Sequence, residues 1–137
     1  MAGSNLEAVG RLFERFERGA FDSAVELLAE DFVAVIPPSM SAEPDVYEGH
    51  AGARRYFEGF EGLVEDVRLD ALEMIEEGDV VIVPLRLYGR GVASGIDVAQ
   101  DGVALIWVED GLVARIEVYP NLDAAREALR GRSKSPW

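Results

Sequence analysis

Val80-Val81-Ile82-Val83-Pro84-Leu85 and Val103-Ala104-Leu105-Ile106-Trp107-Val108 are apolar at both parities. They belong to a run from Val80 to Tyr119 that shows almost no helical periodicity and follows or breaks at turn chemistry, Glu77-Gly78-Asp79 and Asp110-Gly111. A half-exposed antiparallel strand alternates apolar and polar residues. These two do not, so both faces of the sheet they build are expected to be covered. The pattern predicts strands over Val67–Glu76, Val80–Gly91, Ile96–Val108 and Leu112–Tyr119. The last does alternate, with Leu112, Ala114, Ile116 and Val118 on one side and Val113, Arg115, Glu117 and Tyr119 on the other.

Helices precede this meander. Leu6, Val9, Leu12, Phe13 and Phe16 recur at three- and four-residue steps and give one apolar helix face, which Gly19 ends. Phe21, Val25, Leu28 and Ala29 mark a second helix reaching about Glu30, with Asp22 or Ser23 as its cap. Phe32–Ile36 reads as a strand stopped by Pro37-Pro38, and Ser39–Glu48 as a polar loop of the kind that either connects elements or lids a pocket. A third helix follows Gly49-His50 and buries Ala53, Tyr56, Phe57, Phe60 and Val64. Asp123–Leu129 is a closing helical turn. Helices first and strands after predict an α+β architecture, a strongly curved, mostly antiparallel sheet wrapped around three N-terminal helices, a shape that makes a pocket.

The length, 137 residues, suits one domain able to bury a core without staples, expected over residues 1–130 with a basic tail at 131–137. Cysteine is absent, which removes disulfides and thiolate metal sites and fits a reducing, cytoplasmic setting. Met1–Asn5 has no apolar run like a signal peptide, and no stretch is long and apolar enough to span a bilayer. The net charge of -13 repels nucleic acid and anionic membranes, so neither is an expected partner. Arg126, Arg130, Arg132 and Lys134 form a local basic exception, read as a helix C-terminus and its extension. With one histidine and scattered carboxylates, no metal-ligand spacing occurs, and no cofactor is expected. Three helices cannot cover both sheet faces, so the second face is expected to meet another copy of the chain, giving a homodimer.

The phrase Tyr47-Glu48-Gly49-His50-Ala51-Gly52-Ala53-Arg54-Arg55-Tyr56-Phe57 precedes Arg86-Leu87-Tyr88-Gly89-Arg90-Gly91, then Ser94-Gly95-Ile96 and Gln100. The chain closes on Val118-Tyr119 and Asp123–Leu129. In this order they resemble the SnoaL-like branch of the nuclear transport factor 2-like (NTF2-like) superfamily, over about Leu6 to Leu129. The resemblance implies an α+β cone with a pocket between helices and sheet, and usually a dimer. Activity does not follow, because the superfamily spans isomerases, polyketide cyclases, epoxide hydrolases and non-enzymatic binders. In the isomerase branch a base, a tyrosine and a protonated strand acid do the chemistry. Those places fall here at Ile36, Leu12, and Ala104 or Leu105, none of which moves a proton.

The resemblance also puts Trp107 on the concave face, which would carry Leu105, Val103 and Asp101 with it along an unbroken strand. Asp101 beside apolar groups would have a raised pKa and act as acid or base; Asp101-Gly102 is equally a turn or bulge signal. Arg86 either binds a polar group in the pocket or pairs with an acid across the sheet. Phe16, Tyr56 and Phe57 are pocket-lining candidates or ordinary core, Tyr119 is a hydroxyl candidate, and His50 caps or packs. Three functions follow: a binder of a small, mostly apolar molecule, an enzyme of the cyclase, isomerase or hydrolase type using Asp101, or a non-catalytic dimerisation module.

Overall fold

The computed structural model describes the backbone of residues 2–36, 45–58 and 64–133, and side chains over 5–36, 46–56, 58 and 65–131. Helix α1 (Ala2–Glu17) leads. Its face of Val9, Leu12, Phe13 and Phe16 is buried, as the spacing requires. Gly19 (φ +69°) ends it: the Gly19 amide donates to the Phe16 carbonyl at 3.1 Å and the Ala20 amide to the Arg15 carbonyl at 2.9 Å, a Schellman closure. Helix α2 (Phe21–Ala24) and a 3-10 turn (Val25–Leu27) are shorter than expected, and no side chain caps α2. Strand β1 begins at Leu28 and runs to Ile36, so Leu28 and Ala29 belong to the sheet.

Strand β2 (Asp45–Glu48) lies inside the stretch read as a loop, and pairs antiparallel with β1. Helix α3 covers Gly49–Glu58. Val64 opens strand β3 (Val64–Ala71), contrary to its expected place on the helix. The predicted strand Val67–Glu76 is two pieces, β3 and β4 (Ile75–Glu77), laid end to end along β5 (Val80–Gly91). Pro84 explains the break. It has no N–H, and it sits between Ile82, the last β5 residue paired with β4, and Leu85, where β3 pairing begins, so no ladder bond is lost. Strands β6 (Asp97–Glu109) and β7 (Leu112–Tyr119) complete the meander across Asp110-Gly111, both at positive φ (53° and 79°), as a tight hairpin needs.

The seven strands form one curved, mixed sheet in the order β2-β1-β7-β6-β5-β3, with β4 also on β5. Only β1–β7 is parallel. This is the expected α+β cone, with one helix more than anticipated. The closing turn is a full helix, α4 (Leu122–Ser133), started by Asn121, whose Oδ1 accepts from the Ala124 amide at 2.8 Å. It extends into the stretch read as a basic tail.

Helix α4 changes how the sheet's second face is covered. One core cluster joins α1, α3 and the inner face through Val81, Val83, Ala104 and Ile106. A second lies on the outer face, where Ala125 and Leu129 of α4 pack on Val80, Ile82, Val103 and Leu105. Both parities are thus buried within a single chain, and an apolar outer face is no argument in itself for a second copy. The Pro37-Pro38 stop, the lid reading of Ser39–Pro44, the Phe57 side chain, Phe60 and Lys134 lie outside the described residues.

Candidate functional site

A cavity sits between the helices and the inner face of the sheet. The inward residues are Phe32, Ala34 and Ile36 on β1, Leu85 and Leu87 on β5, Ala104 and Ile106 on β6, and Ile116 and Val118 on β7. Each set steps by two, as alternation along a strand demands. Phe13 and Phe16 of α1, Leu28, Leu69, and Ala53 and Tyr56 of α3 close it, with Tyr47 of β2. Its volume is ≈ 70 Å³. That is room for a few waters or for a guest smaller than benzene, which occupies an engineered apolar cavity of about 150 Å³.

Among these lining side chains only Tyr47 and Tyr56 carry polar atoms. Their rings meet edge to face, with centroids 5.2 Å apart at 68°. Gly52 allows this arrangement: a Cβ there would stand 2.9 Å from the Tyr47 backbone carbon, so only glycine lets α3 come this close to β2. Tyr56 follows Gly52 by four residues, on the same side of the helix. The Arg55 guanidinium lies over the Tyr47 ring, 4.3 Å from its centroid, and fixes it from behind. Burial, and secondly the neighbouring Tyr47, push the Tyr56 phenol up to about 12. Tyr56 therefore stays protonated at neutral pH and is a hydrogen-bond donor, not a base.

The proposed catalytic group is elsewhere. Strand β6 runs unbroken through Asp101-Gly102, so neither a turn nor a bulge forms there, but its parity is the reverse of the expected one. Directly opposed residues of an antiparallel pair share a face. Trp107 opposes Arg115, Leu105 opposes Glu117 and Val103 opposes Tyr119, so all six are on the outer face. Asp101 and Arg86 oppose one another on that face as well, and Asp101 accepts from Arg86 Nε at 2.5 Å and Nη2 at 3.0 Å. This fork holds the Asp101 carboxyl below its ordinary range, chiefly by hydrogen bonding, against the rise expected for a pocket acid. With side chains 62% and 39% exposed, the two make a surface ion pair.

The remaining candidates divide cleanly. Phe16, Ile36 and Tyr56 line the cavity, Leu12 is buried in the core behind it, and Arg86, Val103, Leu105, Trp107 and Tyr119 do not reach it. His50 is tied into the fold, its Nε2 donating to the Leu28 carbonyl at 2.8 Å. Sequence reasoning named none of the other lining residues as pocket-lining, Ala104, Ile106 and Tyr47 among them. The signal for the first two was the alternation of β7: its polar side, Arg115-x-Glu117-x-Tyr119, faces outward and takes the opposed residues of β6 with it. Glu117 is the one buried charged residue described, 4% exposed, accepting from Arg115 Nε at 2.6 Å and from the Tyr119 hydroxyl at 2.8 Å. Among the described residues no three histidine, aspartate or glutamate side chains group as metal ligands, and no helix is long and apolar enough to cross a membrane.

Comparison with solved structures finds the same fold. TerC, co-crystallised with polyporic acid, superposes with a TM-score of 0.75 at 23% identity, covering 93% of this chain and 98% of its own. An NTF2-like protein of unknown function from Burkholderia pseudomallei gives 0.74 at 21% identity, over 93% of this chain and 95% of its own. A hypothetical protein of ketosteroid isomerase-like fold from Catenulispora acidiphila, in complex with trimethylamine, gives 0.72 at 15%, over 85% and 86%. No curated protein sequence matches. Residues 9–116, most of the chain, match the SnoaL-like domain, and the chain belongs to the SnoaL-like family, built on an NTF2-like fold.

Proposed function

We propose that the cone binds a small, neutral, mostly apolar molecule and does not run isomerase chemistry. One observation carries this reading: the described cavity wall is hydrocarbon apart from two phenols, which are uncharged at neutral pH. An ion inside would lose its hydration without a counter-charge, so a neutral guest is favoured. Among the described lining residues there is no carboxylate, histidine, lysine or arginine, which weighs against the enzyme reading built on Asp101. The TerC structure with polyporic acid supports the idea that this type of cone holds organic molecules. Dissolved xenon at moderate pressure is the direct test. Methyl shifts at Ala104, Ile106 and Val118 that saturate with xenon are expected. No shift at these positions would mean that the cavity is closed core, and the reading of a non-catalytic module would replace ours.

The reading includes self-association through what α4 leaves open on the outer face. Val33 and Val35 of β1 are half-buried there, beside Arg115 and Glu117. Gel filtration with light scattering is expected to give twice the chain mass, and a monomer mass would remove this part alone. A cytoplasmic setting is proposed on the absence of cysteine.

A further inference from the structure

A second hollow adjoins the first. A cleft of ≈ 420 Å³ lies between the C-terminal turn of α1 (Glu17, Arg18, Gly19), Phe21, and Asp66, Val67 and Arg68 of β3. Its wall is largely charged, whereas the inner cavity is hydrocarbon with two phenols. The partition between them is thin. Phe16 lines the cavity, Phe21 lines the cleft, and their rings touch with centroids 5.8 Å apart at 43°. Along β3 the two walls are sequence neighbours, Val67 and Arg68 on the cleft and Leu69 on the cavity. Gly19 brings α1 against this strand, since a Cβ there would be 3.1 Å from the Val67 carbonyl oxygen.

We propose that cleft and cavity are two halves of one site for a small amphiphile, parted by the Phe16–Phe21 contact. The apolar body occupies the cavity and the hydrophilic, non-anionic end remains in the cleft. The inference rests on the cavity being a binding site, and it answers a difficulty of that reading: ≈ 70 Å³ is far below the ~300 Å³ at which ordinary ligand pockets begin, and the cleft supplies the missing room. Joining the volumes asks for one phenyl ring to turn aside, a side-chain rotation rather than a movement of the backbone.

Charge selects the head group. Both arginines of the cleft are engaged, Arg18 with Glu14 at 2.7 Å and Arg68 with Asp70 at 3.6 Å and over the Tyr88 ring at 4.4 Å. Glu17 and Asp66 form no ion pair among the described residues. The C-terminal end of α1 adds partial negative charge. With a net charge of -13, the cleft disfavours a carboxylate and accepts an alcohol.

The test uses xenon, 1-butanol, 1-hexanol and hexanoate on the native protein, followed by amide and methyl shifts. Hexanol is expected to move the cavity residues Ala104 and Ile106 and the cleft residues Gly19 and Val67 along one saturation curve. Two more buried methylenes make hexanol bind roughly 15-fold tighter than butanol, and hexanoate is expected to bind at least about tenfold more weakly than hexanol, the cost of a little over one kilocalorie of charge repulsion. In Val67→Trp, which fills the cleft, hexanol binding is lost while xenon still enters. Hexanol moving one set only, two sets with different midpoints, or hexanoate binding as tightly as hexanol overturns the inference; these readouts need no variant. Xenon binding without hexanol bridging the two sets removes this inference and leaves the cavity reading intact. Failure of both probes removes both.

Discussion

Phenylalanine at position 56 is expected to abolish a loss of stability that the native protein suffers at alkaline pH. A free tyrosine titrates near 10, whereas burial and then Tyr47 push Tyr56 up to about 12 in the folded chain. The unfolded chain therefore gives up its proton first. Between those values the folded state holds more protons than the unfolded state, so stability falls as pH rises. Below pH 10 both states are protonated and the contribution is intact; above 12 both have ionised and nothing further is lost. Each unit is worth about 1.4 kcal/mol, so the window costs about 3 kcal/mol. Urea unfolding across this window gives the slope, and tyrosinate absorbance gives the titration of Tyr56 against the other three tyrosines, Tyr47, Tyr88 and Tyr119. Tyr56→Phe keeps the ring and removes the proton, so its slope should be shallower by that amount. Equal slopes in the two proteins would refute burial as the cause, and with it the view of Tyr56 as a fixed donor at the cavity.

Three further outcomes are expected. Gly52→Ala forces a Cβ to within 2.9 Å of the Tyr47 backbone and is expected to cost about 1–3 kcal/mol in denaturant unfolding, with the Tyr47 and Tyr56 ring resonances displaced. Leu105→Ala, at a fully buried site under α4, is expected to cost about 2–5 kcal/mol and to leave xenon shifts at Ala104 unchanged, because the cavity lies on the other face. Asp101→Asn breaks an exposed pair and is expected to leave both guest binding and thermal stability as they were; a loss of ligand turnover or binding would restore Asp101 to the site.

The parts of the fold that were legible are those where one physical signal dominates. β5 and β7 begin and end where their apolar runs do, since glycine turns and a positive-φ hairpin bound them. Gly19 marks the end of α1 for the same reason. β2 was hidden because Asp45–Glu48 is short and half polar, and its strand character comes from pairing with β1 rather than from its own pattern. The second helix was overread because Leu28 fits a helical step as well as a strand; tertiary pairing with β7 decided the matter. The facing of β6 was not legible from β6 itself. When both faces are buried, alternation no longer distinguishes inside from outside.

That ambiguity has a chemical consequence. A strand's side chains change face with every residue, so the difference between a catalytic acid in a cavity and an acid in solvent is a register of one. In β6 the inward places are filled by Ala104 and Ile106 and the outward one by Asp101, and Arg86 on β5 has the same parity and neutralises it there. Placing an acid in the cavity does not require a new fold, only a substitution at an inward position such as Ala104, followed by whatever partners hold its proton. Among the described residues, Ala104→Asp would meet only hydrocarbon and the two phenols across the cavity, and without a compensating donor its charge would be expelled or neutralised. The described inward positions of the sheet carry hydrocarbon, and an acid substituted at one of them would need a partner for its proton.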